Sequence, residues 1–422
     1  MANRKVTYLP ELVDNNIELS VRHLKQFFKF GHGKNAFVTK AVHDISFDIK
    51  KGECFGIVGE SGCGKTTTGR TLIKLYKATS GSVYFKGYRI VAGSRWNKKE
   101  IKWKRIKARR KIKELTNEMN EKIRVLADEQ GNKEFVESET AKIKAQYNAQ
   151  IEQIKTDLAA LIKEQKEKIA QHEYDEKHVN KKLMSKMQMI FQDPVDSLDP
   201  RMTVNDIIEE GLHIQGQYNK FENSQKVRDA LVKVGLLPEY ASRYPHEFSG
   251  GQRQRIGIAR ALIMNPDFLI CDEPISALDV SIRAQIINLL NNLKDEMGLT
   301  MMFIAHDLSV VKYFCDRIAV MYFGNIVELA SSDELFAHPL HPYTKALLSA
   351  IPKPDPLSEK ERQRYIYVPA NEHDYSKEAP KLTEIAPGHF VMANSEELEK
   401  YRKVLNEKKW FKRLIDCQPS YF

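Results

Sequence analysis

No apolar run in this sequence approaches the ~18–20 residues that a membrane-spanning helix needs. Its opening, MANRKVTYLPELVDNNIEL, lacks the apolar core of a signal peptide. The chain is therefore expected to be made in the cytoplasm and to stay there, with other chains supplying any membrane path. Cysteine is sparse: Cys54, Cys63, Cys271, Cys315 and Cys417 are scattered with no CxxC pair. That argues against a zinc site or a disulfide framework and leaves small buried thiols as the plain reading. Residues 95–186 contain no proline and one glycine, so ordinary loop punctuation is missing there. No NKxD guanine-reading motif occurs anywhere.

What is present is a chain of 422 residues, 42% hydrophobic and 29% charged, long enough for two or three domains and a sizeable core. The formal charge of +10 is concentrated. Residues 95–113 hold eleven Lys or Arg against one acid, Glu100, a local excess of +10 that equals that of the whole chain. A basic total points to nucleic acid or an anionic membrane, but here the question narrows to one segment.

Residues 6–91 read as β-rich with one helix. Strand-like alternation appears at 42–49 and 82–85, and the run Cys54-Phe55-Gly56-Ile57-Val58 reads as a buried strand. A glycine loop at 59–64 and a helix at 65–75 follow. In 95–186 apolar residues recur at three- and four-residue steps: Ile112, Leu115, Met119, Ile123, Leu126, then Ile143, Tyr147, Ile151, Ile154, Leu158, Leu161. This is a narrow coiled-coil seam. It predicts two helices folded back as an antiparallel hairpin with its tip near Gly131. From Met187 strands (187–191, 268–271, 300–304) alternate with helices (204–211, 224–235, 251–264), which predicts a parallel, doubly wound sheet. Residues 336–422 have scattered proline, mixed polarity and no repeat.

Gly59-Glu60-Ser61-Gly62-Cys63-Gly64-Lys65-Thr66 fits the phosphate loop GxxxxGK[ST]. Gly59, Gly62 and Gly64 let backbone N–H groups, with that of Ser61, curl around phosphates at the positive end of the next helix. Lys65 is expected at the β- and γ-phosphates, Thr66 on Mg²⁺, and Thr67 beside it. Downstream, four apolar residues lead into Asp272 and Glu273. Asp272 ends a buried strand and belongs in the Mg²⁺ shell, while Glu273 can polarise the attacking water as general base. Without NKxD, adenine is the expected base, so ATP and Mg²⁺ are the expected ligands. A stacking aromatic near the first strand is expected at Phe28, with Phe37 behind it; an aromatic there could equally be core.

Phe248-Ser249-Gly250-Gly251-Gln252-Arg253-Gln254-Arg255 resembles the signature motif of the ABC ATPase superfamily. The resemblance implies that Ser249, Gly250, Gly251 and Gln252 bind the γ-phosphate held by an opposite subunit. It further implies a Q-loop glutamine at Gln192 approaching Mg²⁺, a D-loop Ser276-Ala277-Leu278-Asp279 whose Asp279 reaches across the dimer, and a switch histidine at His306 on the γ-phosphate. MQMIFQDPVDSLDPRMTV, DEPISALDVSIRAQIINLL, AHDLSVVKYFCDRIAVMYFGNIVE and HPLHPYTKALLSAIPKPDP are similar to ATP-binding subunits of oligopeptide and dipeptide (peptide/nickel) importers. APGHFV at 386–391 resembles the F-type subunit of oligopeptide systems.

The fold so implied is α/β: a P-loop NTPase ABC ATPase domain with an antiparallel β subdomain and a helical subdomain. It carries an inserted α-helical coiled-coil hairpin and a C-terminal extension. The boundaries are 1–94 and 187–335 for the two parts of the ATPase domain, 95–186 for the hairpin and 336–422 for the extension. The hairpin accounts for the 207 residues from Lys65 to Asp272; removing ~80 restores an ordinary spacing. Relatives often carry a C-terminal cysteine cluster able to hold iron–sulfur; only Cys417 lies there, so none is expected.

The implied function is to power import of oligopeptides or dipeptides by ATP hydrolysis at the cytoplasmic face of a bacterial membrane. The implied partners are a second ABC ATPase subunit in a heterodimer, two membrane permeases and an extracytoplasmic peptide-binding protein. Rivals are import of nickel or another solute, a coiled-coil ABC protein acting on DNA, and a non-hydrolysing regulatory subunit. The hairpin precedes Gln192 and is short, against the DNA reading; no motif is damaged, against the regulatory one. Nucleic acid is not expected. Read plainly, the hairpin is a solvated structural element. Read sharply, its basic start 95–113, with Trp96 and Trp103 seven residues apart, suits contact with anionic lipid or a partner subunit.

Overall fold

The computed structural model describes residues 4–31, 33–128, 133–276, 278–351 and 365–416. The expected hairpin tip near Gly131, Ala277, the end of the HPLHPYTKALLSAIPKPDP string and Cys417 lie outside the described residues.

The chain opens on a short helix, α1 (Pro10–Asp14), and a long hairpin of β1 (Ile17–Phe30) and β2 (Phe37–Lys50). Next come β3 (Cys54–Val58), α2 (Lys65–Leu72), β4 (Ser80–Phe85) and β5 (Tyr88–Ser94). Two long helices follow, α3 (Arg95–Asp128) and α4 (Lys133–Lys177), then a turn of helix, α5 (Lys181–Met184). After β6 (Met187–Ile190) stand α6 (Val204–Ile214), α7 (Lys220–Lys233), α8 (Gly250–Leu262), β7 (Phe268–Asp272), α9 (Val280–Met297), β8 (Thr300–Ala305) and α10 (Leu308–Phe314). The chain continues through β9 (Arg317–Tyr322), β10 (Asn325–Ser331), α11 (Ser332–Ala337), α12 (Pro342–Ser349), β11 (Lys381–Ala386), β12 (His389–Ala393) and a last helix, Ser395–Asp416.

β3, β7 and β8 are buried at every position, as strands covered on both faces must be. Their side chains alternate between two cores. Phe55, Ile57, Ile270, Met302 and Ile304 point into one, and Cys54, Val58, Cys271, Met301 and Phe303 into the other. The first core is closed by α2 and by a four-stranded antiparallel sheet of order β2-β1-β4-β5. The second is closed by helices, among them α6, α7, α8 and α9.

The main sheet has the order β11-β12-β10-β9-β3-β8-β7-β6. The five strands from β9 to β6 are parallel, as the alternation of strands and helices predicts. β10, β12 and β11 then continue it antiparallel. The β11–β12 hairpin was not legible: its strands are short, of mixed polarity, and acquire a partner only because β10 leaves an edge free. The cover also differs from a doubly wound layer, since one face is closed largely by sheet. The helix expected over 65–75 ends at Leu72, because Lys74 turns left-handed (φ 66°) and Leu75 and Tyr76 donate back to the Arg70 carbonyl.

α3 and α4 pair in opposite directions. Asn97 meets Gln165, Lys98 meets Glu173, and Leu115 packs with Tyr147 and Ile151. The base of α4 is clamped to the antiparallel sheet. Asp175, fully buried, accepts from Arg89 Nε at 2.7 Å, from Thr7 Oγ1 at 2.7 Å and from Gln171 at 2.8 Å. Glu176 pairs with Lys74 on the other side.

Candidate functional site

The loop after β3 wraps the start of α2. Gly59 and Gly64 are obligatory: both have positive φ (153° and 107°), and a Cβ would lie 2.2 Å from Met321 O and 2.1 Å from Ala41 O respectively. Lys65 is buried, and its Nζ donates to the carbonyls of Gly59 (2.8 Å) and Glu60 (3.0 Å). Its charge therefore stands at a loop that borders a cavity of about 140 Å³. That cavity is lined by Ala41, Ser61, Gly62, Gly64, Lys65, Thr66, Thr67, Gln192 and Glu273.

β7 carries the acids. Asp272 is fully buried and its Oδ1 accepts from Thr66 Oγ1 at 2.8 Å, while Oδ2 has no partner. Burial holds the Asp272 carboxyl above its ordinary range, and the Thr66 hydroxyl partly offsets this. Glu273 sits at φ 45°, a left-handed conformation costing a non-glycine residue about 1–3 kcal/mol. Its N–H bonds Ile304 O at 3.0 Å, and its Oε2 accepts from Gln192 Nε2 at 3.1 Å and lies 3.0 Å from His306 Nδ1. A turn at the end of β7 thus aims one carboxylate at residues following β6 and β8. A rigid cradle for a polyanion, a buried acid and an oriented second acid suit phosphoryl chemistry on a triphosphate.

The Ser-Gly-Gly segment is elsewhere. Ser249 is the N-cap of α8 and accepts from Gln252 N at 3.4 Å, while Gln252 Oε1 accepts from Ser249 N at 3.0 Å. Ser249 and Gly250 are exposed and line no part of the phosphate cavity. A Cβ on Gly251 would meet Ile282 Cγ2 at 2.6 Å, so its bareness also serves the packing of α8 on α9. Asp279, exposed, caps α9 without a side-chain bond. Phe28 is half-buried, edge-on to Tyr76 at 5.2 Å; Phe37 is 62% exposed and stacks on Phe30 at 5.3 Å. Neither lines the phosphate cavity, and Phe37 offers more free ring.

Two residues escape sequence reasoning. Ala41 lines the cavity from β2. Tyr343, buried on α12, accepts from Glu60 N at 3.0 Å and so tethers the phosphate loop to the C-terminal region. Burial pushes its phenol well above the ordinary range, so it stays protonated. The HPLHPYTKALLSAIPKPDP string contains this tyrosine but gives no sign of its target.

Sequence comparison agrees with this geometry. The family model described as ABC transporter matches residues 42–172 and 155–276, and that of the oligopeptide/dipeptide transporter C-terminal region matches 327–377. The chain is 46% identical over 384 residues to the oligopeptide transport ATP-binding protein OppF of Bacillus subtilis, covering 91% of this chain and 98% of that one. It is 44% identical over 380 residues to OppF of Streptococcus pyogenes, covering 89% and 95%. Among solved structures, cbiO1 of Clostridium perfringens, part of the ABC transporter complex cbiONQ, aligns with a TM-score of 0.48 and 21% identity, covering 76% of this chain and 91% of that one.

Proposed function

Because this chain belongs to the ABC transporter family, among its oligopeptide transport ATP-binding proteins, we infer that it binds and hydrolyses ATP as the motor subunit of an oligopeptide importer. One observation carries the site assignment: the loop residues Lys65 and Thr66, Gln192 and Glu273 line a single small cavity beside the buried Asp272.

In this reading the loop amides and Lys65 hold the β- and γ-phosphates, with Lys65 exchanging its carbonyl partners for phosphate oxygens. Thr66 and Asp272 fit a magnesium ion: Asp272 Oδ2 is buried with no partner, and Mg²⁺ takes few protein ligands. The ion, when bound, neutralises phosphate charge. Glu273 accepts the proton of the attacking water, and Gln192 and His306 hold its carboxylate in place. Replacing Glu273 by Gln is expected to preserve ATP binding and to lower hydrolysis by about a hundredfold or more. Near-normal turnover in that variant would overturn the assignment.

The exposed Ser249 and Gly250 support a site completed by a second ABC ATPase subunit, whose own phosphate loop this segment faces; Asp279 reaches across the same interface. A heterodimer on the cytoplasmic face, two permeases and an extracytoplasmic peptide-binding protein complete the proposed assembly. A cleft of about 1230 Å³ beside Gln192, lined by Met184, Met187, Met189, Phe191 and Met264, suits a permease's cytoplasmic helix. No helix among the described residues is long and apolar enough to cross a membrane.

A further inference from the structure

The ATPase reading leaves the basic start of α3 without a task. The structure divides that helix into two faces. Asn97, Ile101, Ala108, Ile112 and Leu115 are turned toward α4 or partly covered. The opposite face presents Trp96, Lys99, Trp103, Ile106 and Arg110 at three- and four-residue steps. Trp96 is 50% exposed, Trp103 61% and Ile106 44%, which is unusual for three large apolar side chains on one stripe. Lys25 Nζ, paired with Asp44 at 2.9 Å, lies 4.9 Å from the Trp96 ring and so holds that indole in place from β1. Of the eleven cations in 95–113, only Lys98 and Lys111 have a carboxylate partner among the described residues. A solvated helix in a protein of ordinary composition would carry acids evenly among such lysines; residues 95–113 hold one, Glu100, against eleven cations.

We propose that the outward face of α3, centred on Trp96, Trp103 and Ile106 with its unpaired Lys and Arg, is a contact surface for an anionic lipid bilayer. Indole rings between cations match the headgroup layer, where the ring body leaves water while its N–H stays wet, and the unpaired cations meet lipid phosphates. Position agrees. Lys98 pairs with Glu173, one turn from Glu176, whose partner Lys74 lines the cleft assigned above to a permease helix. The root of the stripe therefore adjoins the side of the molecule that would face the membrane. That placement rests on the proposed function, but the charge and aromatic pattern does not.

The test is co-sedimentation of the full chain with vesicles of equal phosphatidylglycerol and phosphatidylcholine, and with phosphatidylcholine alone. Binding is expected only to the anionic vesicles and to be lost in 0.5 M salt, since bare charges are screened there to within ~3–5 Å. The charge-reversed chain K99E/K102E/K107E/R110E should bind at least about tenfold more weakly, and W103A about threefold more weakly. Basal ATPase activity should be unchanged in both, since none of these residues lines the phosphate cavity. The wild-type chain staying in the supernatant, or the reversed chain binding as well as it, would overturn the proposal. Unaltered binding by W103A, or tighter retention of RNA or DNA oligonucleotides than of vesicles, would equally reject a bilayer. Vesicle binding needs neither permease nor hydrolysis, so its failure and that of the motor reading are separable.

Discussion

At the scale of single residues, the glycine loop was readable because its chemistry is contiguous: the eight residues from Gly59 to Thr66 span the curl, the cation and the hydroxyl. Its support is not contiguous. Tyr343→Phe removes the acceptor of the Glu60 N–H and leaves that group short of a partner. It is expected to cost about 1–3 kcal/mol of stability and to weaken ATP binding, checked by urea unfolding and nucleotide titration. Equal stability and equal affinity in the variant would show the tether to be idle.

His341 offers a pH test. It is buried, its Nδ1 accepts from Tyr343 N at 3.1 Å, and burial reinforced by His373 lowers its ring to about 3. The unfolded chain takes up that proton below its ordinary value of 6.5, and the folded chain does so only near 3. Stability from this group is therefore complete above pH 6.5 and falls, as pH drops toward 3, by up to about 1.4 kcal/mol per pH unit. The slope of unfolding free energy between pH 6.5 and 5 should flatten in His341→Asn. An identical slope in both chains would remove His341 as its source.

At the scale of elements, the period of Ile112, Leu115, Met119 and of Ile143, Tyr147, Ile151 shows two helices, and these pack together. What holds the pair on the molecule was not legible. Arg89 and Asp175 lie 86 residues apart, and nothing in either neighbourhood marks them as partners. Asp175→Ala leaves Arg89 buried and unpaired, an expected loss of about 3–5 kcal/mol. Hydrogen exchange should speed up first across the C-terminal turns of α4. Protection there equal to wild type would show that the surrounding contacts suffice. The β11–β12 hairpin is the opposite case: its sequence reads as loop, and only the free edge of β10 makes it sheet.

At the scale of the whole molecule, the exposed Ser249 end leaves the proposed two-subunit site to be completed by a partner. With Glu273→Gln and ATP·Mg²⁺, mixing with its partner ATPase should double the sedimenting mass. Adding Ser249→Arg should abolish that doubling without altering the affinity of the isolated chain for ATP. Persistent pairing in the Ser249 variant would move the interface elsewhere.

Taken alone, the sequence determined the groups that lie close along the chain: the phosphate loop, the acids ending a buried strand, the capped Ser-Gly-Gly helix and the period of the long helices. Such features follow from local backbone geometry and the spacing of apolar side chains, which residue order encodes directly. Only the tertiary structure decided which distant groups meet: Thr66 with Asp272 across 206 residues, Glu60 with Tyr343 across 283, and the new strands on the edge of β10. Those meetings depend on how layers stack and which edges remain free, and no repeat along the chain records that.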